Sequence, residues 1–352
     1  MKNIYTYIFS FLILLSLTSL SCKKEKKKDD NQNDKIELDL SYLNIGNHTT
    51  TAYIKGSLID FNGKVGWNDT KWLSHLQEMK DIGIETLVVQ FGAYNQDIWM
   101  YTSNNYSSNI YPNVLGKLFS AADAKGIGIY MGLYFDDEFW THTMDQTVLT
   151  KHANRSKDLA DEIWQNYKNH TSFKGWYISH EFAPYYYQTE GDVNTLIDKL
   201  INPIAKHCKQ ISGKPVGFSV FFNSSLTDEN GFKTFMNRIS ISDVELIILQ
   251  DGIGVGHCNI SQMEDYYSVA NQALVQSNFF DKGTFWADIE TFTQSNSNSM
   301  PASINRISQQ LNKAKNHVSF IINYQYYQDM CLDGPNSTYA DNLRNDYLNY
   351  LP

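Results

Sequence analysis

Strand-length apolar segments alternate with helix-length amphipathic segments from residue 53 to the end of the chain, and this alternation constrains the fold more than any other feature. Eight such pairs follow one another. The strand segments are Tyr53–Ile59, Thr86–Phe91, Gly128–Tyr134, Gly175–His180, Pro215–Phe221, Val244–Gln250, Thr284–Ile289 and Val318–Tyr324. The helical segments are Asp69–Ile82, Asn113–Lys125, Asp145–Asn169, Asp192–Ile211, Asn230–Ile239, Gln262–Ser277, Ala302–Asn316 and Tyr339–Tyr350. Strict alternation predicts an α/β fold with a parallel sheet, and eight strands close into a single (β/α)8 TIM barrel.

The composition of the segments supports this prediction. The strands are rich in Ile, Val, Leu, Tyr and Phe with little polar interruption, as expected of strands buried on both faces. The first helix carries Trp72, Leu76 and Met79 at spacings of four and three, which place them on one face. The segment 49–352 has an ordinary length for one such barrel, so we expect no second domain.

The first 21 residues have the pattern of a secretory signal. Lys2 supplies the positive end, residues 8–17 form a short apolar run, and small residues precede Cys22. This ending resembles a bacterial lipobox, in which the cysteine becomes the lipidated first residue of the mature protein. We therefore expect Cys22 to be a lipid anchor; the alternative is an ordinary cleaved signal with an incidental cysteine.

A disordered tether is expected over residues 22–48. Residues 23–35 are charged and polar without an apolar side chain, so they cannot bury surface. Such a spacer would separate a lipid anchor from the barrel. The expected location is the bacterial cell envelope, as an exported, membrane-anchored lipoprotein facing the periplasm or the exterior.

Charge and cysteine content exclude some partners and cofactors. The formal net charge of −9 argues against an extended basic surface for nucleic acid and disfavours strongly acidic polysaccharides. Cys208, Cys258 and Cys331 lack the C-x-x-C spacing of zinc or redox motifs. Cys258 and Cys331 both fall in predicted loops on one face, which leaves a disulfide between them open after export.

Polar and acidic residues follow the predicted strands, where barrel enzymes place their active sites. They are Asp60, Gln90, Tyr134 with Asp136 and Asp137, Glu181, Phe222 with Asn223, Gln250 with Asp251, Glu290, and Tyr324. A barrel needs no acids at its mouth for stability, and gathered like charges destabilise it. This concentration therefore indicates a functional site.

Glu181 and Glu290 close the fourth and seventh predicted strands, and a closed parallel barrel brings those strand ends to one mouth. Burial raises a carboxyl pKa, and two environments that split the pKa values would make one group an acid and the other a nucleophile or base. Glycoside hydrolysis uses such a pair. The alternative is that each glutamate only accepts hydrogen bonds from loop amides.

Asp251 stands in Leu-Gln-Asp-Gly-Ile-Gly-Val-Gly, which lacks the spacing of a phosphate loop or a dinucleotide fingerprint. We interpret its glycines as loop flexibility that keeps a groove open. Asp251 is then a sugar ligand or an alternative catalytic carboxylate, and a turn-capping role is an equal alternative.

Asp136, Asp137 and Glu138 follow the third strand, but no calcium-loop pattern or histidine pair accompanies them, so neither a metal nor another cofactor is expected. His180 precedes Glu181 and should point to the opposite face of the strand. A histidine in that position is more often packed and hydrogen-bonded than catalytic.

Aromatic residues make up 14% of the chain and many follow strands, where flat rings can bind the apolar faces of sugars. We expect about half of them to pack the loops instead. The predicted substrate-binding residues are Asp60, Gln90, Tyr134, Asp136, Asp137, Trp140, His180, Tyr185, Gln250, Asp251, Phe292 and Tyr324. No lysine ends a strand, which argues against Schiff-base chemistry.

Several motifs resemble the glycosidase-like TIM-barrel family catalogued as domain of unknown function 4434. They are Gly56-Ser-Leu-Ile-Asp60, the Trp67-to-Ile82 helix, Thr86-Leu-Val-Val-Gln90, Gly175-Trp-Tyr-Ile-Ser-His-Glu181, Gln250-Asp-Gly-Ile-Gly254 and Trp286-Ala-Asp-Ile-Glu-Thr-Phe292. The resemblance covers residues 50 to 350. It implies a barrel with a glycosidase-like site.

A broader similarity is to the retaining-glycosidase clan, whose acid/base follows strand four and whose nucleophile follows strand seven. That similarity implies an acid/base role for Glu181 and a nucleophile role for Glu290. The chain departs from the clan at His180, where the clan usually has Asn. The missing Asn puts the contact with the sugar 2-hydroxyl in question.

These observations favour an exported, lipid-anchored glycoside hydrolase that acts on a neutral oligo- or polysaccharide. Its partners would be that carbohydrate and, through Cys22, a membrane. One alternative is a glycan-binding lipoprotein without catalysis at the same barrel mouth. Another is a barrel lyase or metal-dependent hydrolase that uses Asp251 and Asp137.

Overall fold

The computed structural model describes residues 36–95, 98–105, 111–295 and 298–352. Eight parallel strands form a closed barrel in the order β1-β8-β7-β6-β5-β4-β3-β2. Their bounds are β1 Gly56–Ile59, β2 Thr86–Val89, β3 Gly128–Gly132, β4 Phe173–Phe182, β5 Val216–Val220, β6 Leu246–Gln250, β7 Thr284–Glu290 and β8 Phe320–Tyr324. The predicted (β/α)8 barrel is confirmed.

The helices surround the barrel. They are α1 Asp69–Asp81, α2 Val114–Lys125, α3 Gln146–Tyr167, α4 Glu190–Leu196, α5 Asn202–Ser212, α6 Glu229–Ile239, α7 Ile260–Gln276, α8 Ile304–Ala314, α9 Tyr326–Asp329 and α10 Ser337–Tyr350. Side-chain caps explain several starts: Asp145 accepts from the N–H groups of Thr147 and Val148, and Asn259 forms a capping box with Gln262. The single helix predicted over 192–211 is instead α4 and α5, joined by a π-helical turn at Ile197–Ile201.

Strand alternation divides the apolar core into two layers. One layer fills the barrel interior and contains Leu58, Val88, Tyr130, Tyr177, Leu246, Ile248, Trp286 and Ile322. The larger layer lies between the strands and the helices and includes Ala287 and Ile289 of β7. Because successive side chains of a strand point to opposite faces, Asp288 and Glu290 share the interior face with Trp286.

The segment before β1 closes the floor of the barrel, at the strand-start end. Leu43 is 6% exposed and belongs to the interior layer, and Leu40, Tyr42 and Ile45 pack against it. Tyr42 donates a hydrogen bond to the Glu85 carbonyl oxygen, just before β2. Residues 36–48 therefore do not form part of a disordered tether, because they carry the apolar side chains that residues 23–35 lack. The rest of the expected tether, the signal and Cys22 lie outside the described residues.

Short strands extend the loops above the barrel. Phe292–Ser295 pairs antiparallel with Asn298–Pro301, directly after β7. Ala93–Tyr94 pairs with Ile98–Trp99 and with Tyr134–Phe135, so Tyr134 belongs to this small sheet rather than to β3 as predicted. Among the residues that the structure describes, no helix has the length and apolar character needed to cross a membrane.

The disulfide considered between Cys258 and Cys331 does not form. Both cysteines are free and buried, as is Cys208. The Cys258 thiol donates to the main-chain oxygen of Asp251 at 3.1 Å, whereas the Cys331 thiol donates to Asp333 Oδ1 at 3.1 Å. The two thiols therefore form hydrogen bonds in two different loops.

Candidate functional site

Glu290 is the last residue of β7 and is held by the loop that follows β6. Its side chain is on the interior face of the strand and the residue is 5% exposed. Oε2 accepts a hydrogen bond from the main-chain N–H of Val255 at 2.9 Å, and the N–H of Gly254 also stabilises the carboxylate. The strand thus delivers the carboxyl to the mouth, and the loop fixes its orientation.

The glycine-rich loop is closely packed on Glu290 rather than held open. A Cβ atom at Gly254 would lie 2.5 Å from the Phe292 carbonyl oxygen and 2.9 Å from both Cβ and Oε2 of Glu290. Only glycine leaves room for the carboxyl at this position. For Gly254, the predicted role in loop flexibility is therefore replaced by close approach between the loop backbone and the carboxylate, whereas Gly252 and Gly256 adopt positive φ angles of 67° and 76°.

Glu181 lies near the end of β4, and a partner from β6 orients it. Its Oε1 accepts a hydrogen bond from Gln250 Nε2 at 2.8 Å. The pairing of β4 with β5 shifts between Ile178 and Glu181, where two extra residues enter β4. Because the shift is by two residues, Tyr177 and Glu181 stay on the same face. The structure thus brings the predicted residues Glu181 and Gln250 into direct contact.

Burial raises the pKa of both glutamates. For Glu181 the Gln250 amide opposes this effect. For Glu290 the negative charge of Asp251 adds to it, while the N–H groups of Val255 and Gly254 oppose it. Both carboxyls therefore hold a proton more strongly than an ordinary glutamate does.

Asp251 lies behind the strands, against helix α8, and is fully buried. Its Oδ1 accepts from the N–H of Ile253 at 3.0 Å and its Oδ2 from Gln310 Nε2 at 2.5 Å. Oδ1 also lies 3.4 Å from the N–H of Glu290. This placement does not support the expected contact between Asp251 and a sugar. Asp251 instead holds β7 and the adjacent loop in place through its hydrogen bonds.

Asp288 is a buried acid that was not among the predicted site residues. It is on the interior face of β7, in register with Gln250, and is 1% exposed. Its Oδ1 has no hydrogen-bond partner among the described residues. Burial, followed by the charges of Asp251, Glu290 and Glu181, raises its pKa well above the ordinary value. The sequence could have revealed Asp288, because Trp286, Asp288 and Glu290 are two residues apart and therefore share one face of β7.

A single arginine offsets part of this negative charge. Arg306 of α8 donates to the main-chain oxygens of Glu290 at 2.7 Å and Phe292 at 2.6 Å. Its charge lowers the pKa values of Asp251 and Glu290, although less than burial raises them. Arg306 therefore stabilises the end of β7 without forming a direct ion pair with the Glu290 carboxylate among the described contacts.

The predicted residues of the first three strands are mostly engaged with protein partners. Asp60 accepts from Lys64 Nζ at 2.9 Å and from Gln325 Nε2 at 2.9 Å. Gln90 is partly exposed at the end of β2, and its main-chain N–H donates to the Ile59 oxygen at 2.9 Å. Asp60 is therefore part of a buried polar cluster beside the mouth, whereas Gln90 lies open to it.

After β3, the acids are part of a hydrogen-bonded loop. The Tyr134 hydroxyl donates to Asp136 Oδ2 at 2.7 Å, and the Tyr94 hydroxyl donates to Asp137 Oδ2 at 2.6 Å. Asp136 also caps the 3-10 helix at Asp137–Thr141. These contacts order the rim of the cleft.

A cation could be held by Asp136, Glu138 and His152, whose ligand atoms lie within 4.8 Å of one another. However, Lys151 already pairs with the Glu138 oxygen that also contacts His152, and Tyr134 already donates to Asp136. Glu138 is therefore paired with a lysine and Asp136 accepts a hydrogen bond from a hydroxyl, so we assign no metal to this cluster.

His180 is fully buried and belongs to a separate chain of polar groups. Its Nε2 lies 2.7 Å from Nδ1 of His152, whose Nε2 lies 2.9 Å from Glu138 Oε1. Its ring packs edge-on against Phe139, with centroids 4.7 Å apart. The opposite orientation of His180 and Glu181 follows from strand alternation. This placement does not support the expected contact between His180 and a substrate.

Partly exposed aromatic rings form a wall on the Glu181 side of the mouth. Tyr185 packs against Tyr186 and Phe221, with centroids 4.6 and 5.8 Å apart, and Trp140 lies 6.3 Å from each of Tyr186 and Phe221. These four rings come from the loops after β3, β4 and β5. We call Trp140, Tyr185, Tyr186 and Phe221 the aromatic wall.

A second pair of rings lies on the other side of the mouth. Phe292, directly after β7, packs edge-on against Tyr324 at the end of β8, with centroids 6.0 Å apart. Tyr324 is partly exposed, and a non-proline cis peptide bond joins it to Gln325. Aromatic side chains thus flank the acidic centre on two sides.

The chain belongs to the family described as Domain of unknown function (DUF4434), which residues 54–339 match. It is also similar to Uncharacterized protein YbcH of Escherichia coli (strain K12), at 27% identity over 202 residues. That alignment covers 56% of this chain and 64% of YbcH, so it spans less than two thirds of the relative.

Several solved structures share the fold. A protein described as a putative alpha-L-fucosidase from Bacteroides thetaiotaomicron VPI-5482 matches with a TM-score of 0.69 and 22% identity, over 87% of this chain and 96% of that one. The beta-galactosidase from the psychrophilic Marinomonas ef1 matches at 0.52 and 10%, over 81% and 55%. The GH1 beta-glucosidase from Exiguobacterium antarcticum B7 matches at 0.52 and 9%, over 87% and 100%. The barrel is thus one that glycoside hydrolases use.

Proposed function

We propose that the protein is a glycoside hydrolase that cleaves a neutral oligo- or polysaccharide with Glu181 and Glu290. The observation that carries the proposal is the pair of carboxyls at the ends of β4 and β7, each oriented by a protein donor at one mouth. The neighbouring solved structures support this activity at the level of fold. The aromatic wall supports a carbohydrate ligand, because ring faces bind the apolar faces of sugars.

The hydrogen-bond partners favour one division of roles. Glu290 accepts from two main-chain N–H groups, which favour its ionised form and suit a nucleophile. Glu181 accepts a hydrogen bond from one neutral amide, and burial raises its pKa. A raised pKa keeps the carboxyl protonated and suits a proton donor. The nucleophile role of Glu290 is opposed by burial and by Asp251, so we expect it to ionise only above the ordinary glutamate range.

The proposed reaction has two steps. Glu181 gives its proton to the glycosidic oxygen while the Glu290 carboxylate attacks the anomeric carbon, which forms a covalent glycosyl-enzyme intermediate. Glu181 then removes a proton from water, and that water displaces Glu290 with overall retention. Retention requires carboxyls about 5–5.5 Å apart, whereas inversion requires about 6.5–9.5 Å.

The test is a digestion screen over neutral oligo- and polysaccharides, with analysis of products by chromatography. On any substrate that the protein cuts, Glu290→Gln should lower turnover by at least about 10³-fold without weakening substrate binding, because amide nitrogen cannot replace the carboxylate. Trapping with an activated fluorosugar should attach the sugar to Glu290, as located by peptide mass spectrometry. Full turnover by Glu290→Gln would refute the nucleophile role.

A matched control is Glu245→Gln. Glu245 is also buried, but it directly precedes β6, at the strand-start end of the barrel, and pairs with Lys209 at 2.8 Å. Its substitution should lower stability and leave the rate per folded molecule unchanged. A loss of rate in Glu245→Gln equal to that in Glu290→Gln would show that buried charge in general, rather than the mouth, controls the rate.

We further propose that the protein is exported and anchored to a membrane through a lipid on Cys22. The signal-like residues 1–21 and the charged residues 23–35 support this proposal. The test is mass spectrometry of the protein isolated from bacterial membranes, with Cys22→Ser as the comparison. Equal membrane association of the two forms would refute the lipid anchor.

A further inference from the structure

We propose that His75, Glu78 and Cys331 form a zinc site in the wall of the barrel, between α1 and the chain that follows α9. One ligand atom from each residue can be chosen such that all three lie within 4.8 Å of one another. A thiolate, an imidazole and a carboxylate are a donor set that suits zinc. No residue of this cluster takes part in the proposed hydrolysis.

The fold brings the three residues together from distant parts of the chain. His75 and Glu78 are three residues apart on α1 and therefore lie on one helix face. Cys331, 256 residues after His75, places its Sγ 3.6 Å from His75 Nδ1. Zinc bond lengths of about 2.3 Å to sulfur and 2.0–2.1 Å to nitrogen, at a tetrahedral angle, give a ligand separation of about 3.5 Å. The observed separation matches that geometry.

Unsatisfied polar atoms provide a second indication. Glu78 Oε2 and His75 Nε2 are buried, and neither has a hydrogen-bond partner among the described residues. Burying such atoms unpaired costs about 1–3 kcal/mol each. A metal bound to Glu78 would remove one of these costs.

The surroundings keep the imidazole in the form that binds metals. His75 is fully buried, which favours the neutral imidazole that zinc binds, and the nearby cations are Lys64 and Lys71. Each lysine is paired with its own acid: Lys64 with Asp60 at 2.9 Å, and Lys71 with Asp333. Their repulsion of a bound cation is therefore partly offset.

Zinc binding would release one proton. The Cys331 thiol donates a hydrogen bond to Asp333 Oδ1 at 3.1 Å, so it carries its proton before metal binds. Zn²⁺ would displace that proton to solvent and form a zinc–sulfur bond. Affinity should therefore rise with pH, by about tenfold per unit for one released proton.

The ring contacts fix the orientation of His75. Trp67, Tyr326 and Tyr327 surround it, with centroids 4.9, 5.4 and 5.8 Å away. The alternative that the experiment below tests is a cluster without metal, in which the Cys331 thiol is satisfied by its hydrogen bond to Asp333.

The experiment uses the folded chain without added histidines, stripped with a chelator and dialysed. Zinc chloride is then titrated in competition with a chromophoric zinc chelator, and bound metal is counted by mass spectrometry. One equivalent of zinc per chain is expected for the wild type, and at least a 100-fold weaker affinity for Cys331→Ser and for Glu78→Gln. Cys208→Ser, which removes another buried thiol on α5, is the matched control and should bind as the wild type does.

Cobalt provides a readout that does not depend on variants folding. Cobalt(II) bound by the wild type should show the near-ultraviolet absorption of a cobalt–thiolate bond. Absence of stoichiometric zinc binding, a cobalt complex without that absorption, or equal affinity in wild type and Cys331→Ser would each overturn the site.

Discussion

Replacing Asp288 by asparagine should make the stability of the protein less dependent on pH. Asp288 is 1% exposed, and burial together with the charges of Asp251, Glu290 and Glu181 raises its pKa well above 3.8. The folded protein therefore keeps a proton that the unfolded chain releases. A raised folded pKa means that the contribution to stability is fully present below the unfolded pKa and is lost as pH rises toward the folded pKa.

The magnitude follows from one proton. While Asp288 stays protonated in the folded state and ionised in the unfolded state, each pH unit costs about 1.4 kcal/mol of unfolding free energy. Between pH 5 and pH 7 this cost has an upper limit of about 2.7 kcal/mol, reached if Asp288 stays protonated over the whole range. The asparagine side chain does not titrate in this pH range in either the folded or the unfolded state. The unfolding free energy of Asp288→Asn therefore does not fall with pH for this reason. Any constant effect of the substitution on packing cancels when the two pH values are compared.

The assay is urea unfolding of both proteins at pH 5, 6 and 7 and constant ionic strength. Tryptophan fluorescence and circular dichroism should give coincident transitions before a two-state analysis is applied. The unfolding free energy of Asp288→Asn, minus that of the wild type, should rise from pH 5 to pH 7, with about 2.7 kcal/mol as the upper limit for one proton. A difference that stays constant would show that Asp288 is ionised in the folded protein and would refute the account of its environment.

Asp145→Asn is the control for this experiment. Asp145 is an exposed N-cap, and hydrogen bonds from the N–H groups of Thr147 and Val148 lower its pKa. Its carboxylate is ionised in both folded and unfolded states from pH 5 to pH 7. Its substitution should therefore change stability by the same amount at every pH in this range, and asparagine can still cap α3.

Three further substitutions test other parts of the structure. Gly254→Ala would place Cβ 2.9 Å from Oε2 of Glu290 and should lower the rate of hydrolysis by about 10–100-fold. The control is Gly116→Ala in α2, which would place Cβ 3.7 Å from Tyr167 and should leave the rate unchanged. Asp251→Asn removes a charge that raises the pKa of Glu290, so the acidic limb of kcat/KM should move to lower pH; an unmoved limb would contradict the coupling. Leu43→Ala should reduce the unfolding free energy by about 2–4 kcal/mol in urea, and an unchanged value would mean that the barrel floor contributes nothing.

The barrel could be predicted because its signal is repeated eight times in local sequence. Helix and strand periods depend on neighbours a few residues apart, so tertiary packing rarely reverses them over a whole segment. Details that depend on distant partners were not predictable in the same way. Tyr134 is not part of β3 because it pairs with the short strand at Ala93–Tyr94. The segment before β1 is folded because Leu43 packs into the floor of the barrel.

The same distinction holds for the site. Glu181 and Glu290 could be placed at the mouth because each closes a strand. Strand alternation could also have placed Asp288 on the interior face of β7, together with Glu290. The role of Gly254 could not be predicted, since it depends on how the loop after β6 lies against Glu290. The distance between Cys331 and His75 likewise joins two ends of the chain, so no local spacing reveals it.

The buried acids also bear on the choice between a hydrolase and a passive glycan receptor. A receptor mouth can bind sugar hydroxyls with neutral amides and hydroxyls, and it gains nothing from carboxyls that repel one another in a dry interior. Here Asp288 is buried beneath Glu290, and Asp251 supports Glu290 from behind although its charge makes the ionisation of Glu290 harder. Carboxyls whose pKa values are raised by burial and by neighbouring charges cluster at catalytic sites, where proton affinity is part of the function. Proton transfer to a leaving group and attack by an ionised partner give it that value, so the electrostatics favour the hydrolase.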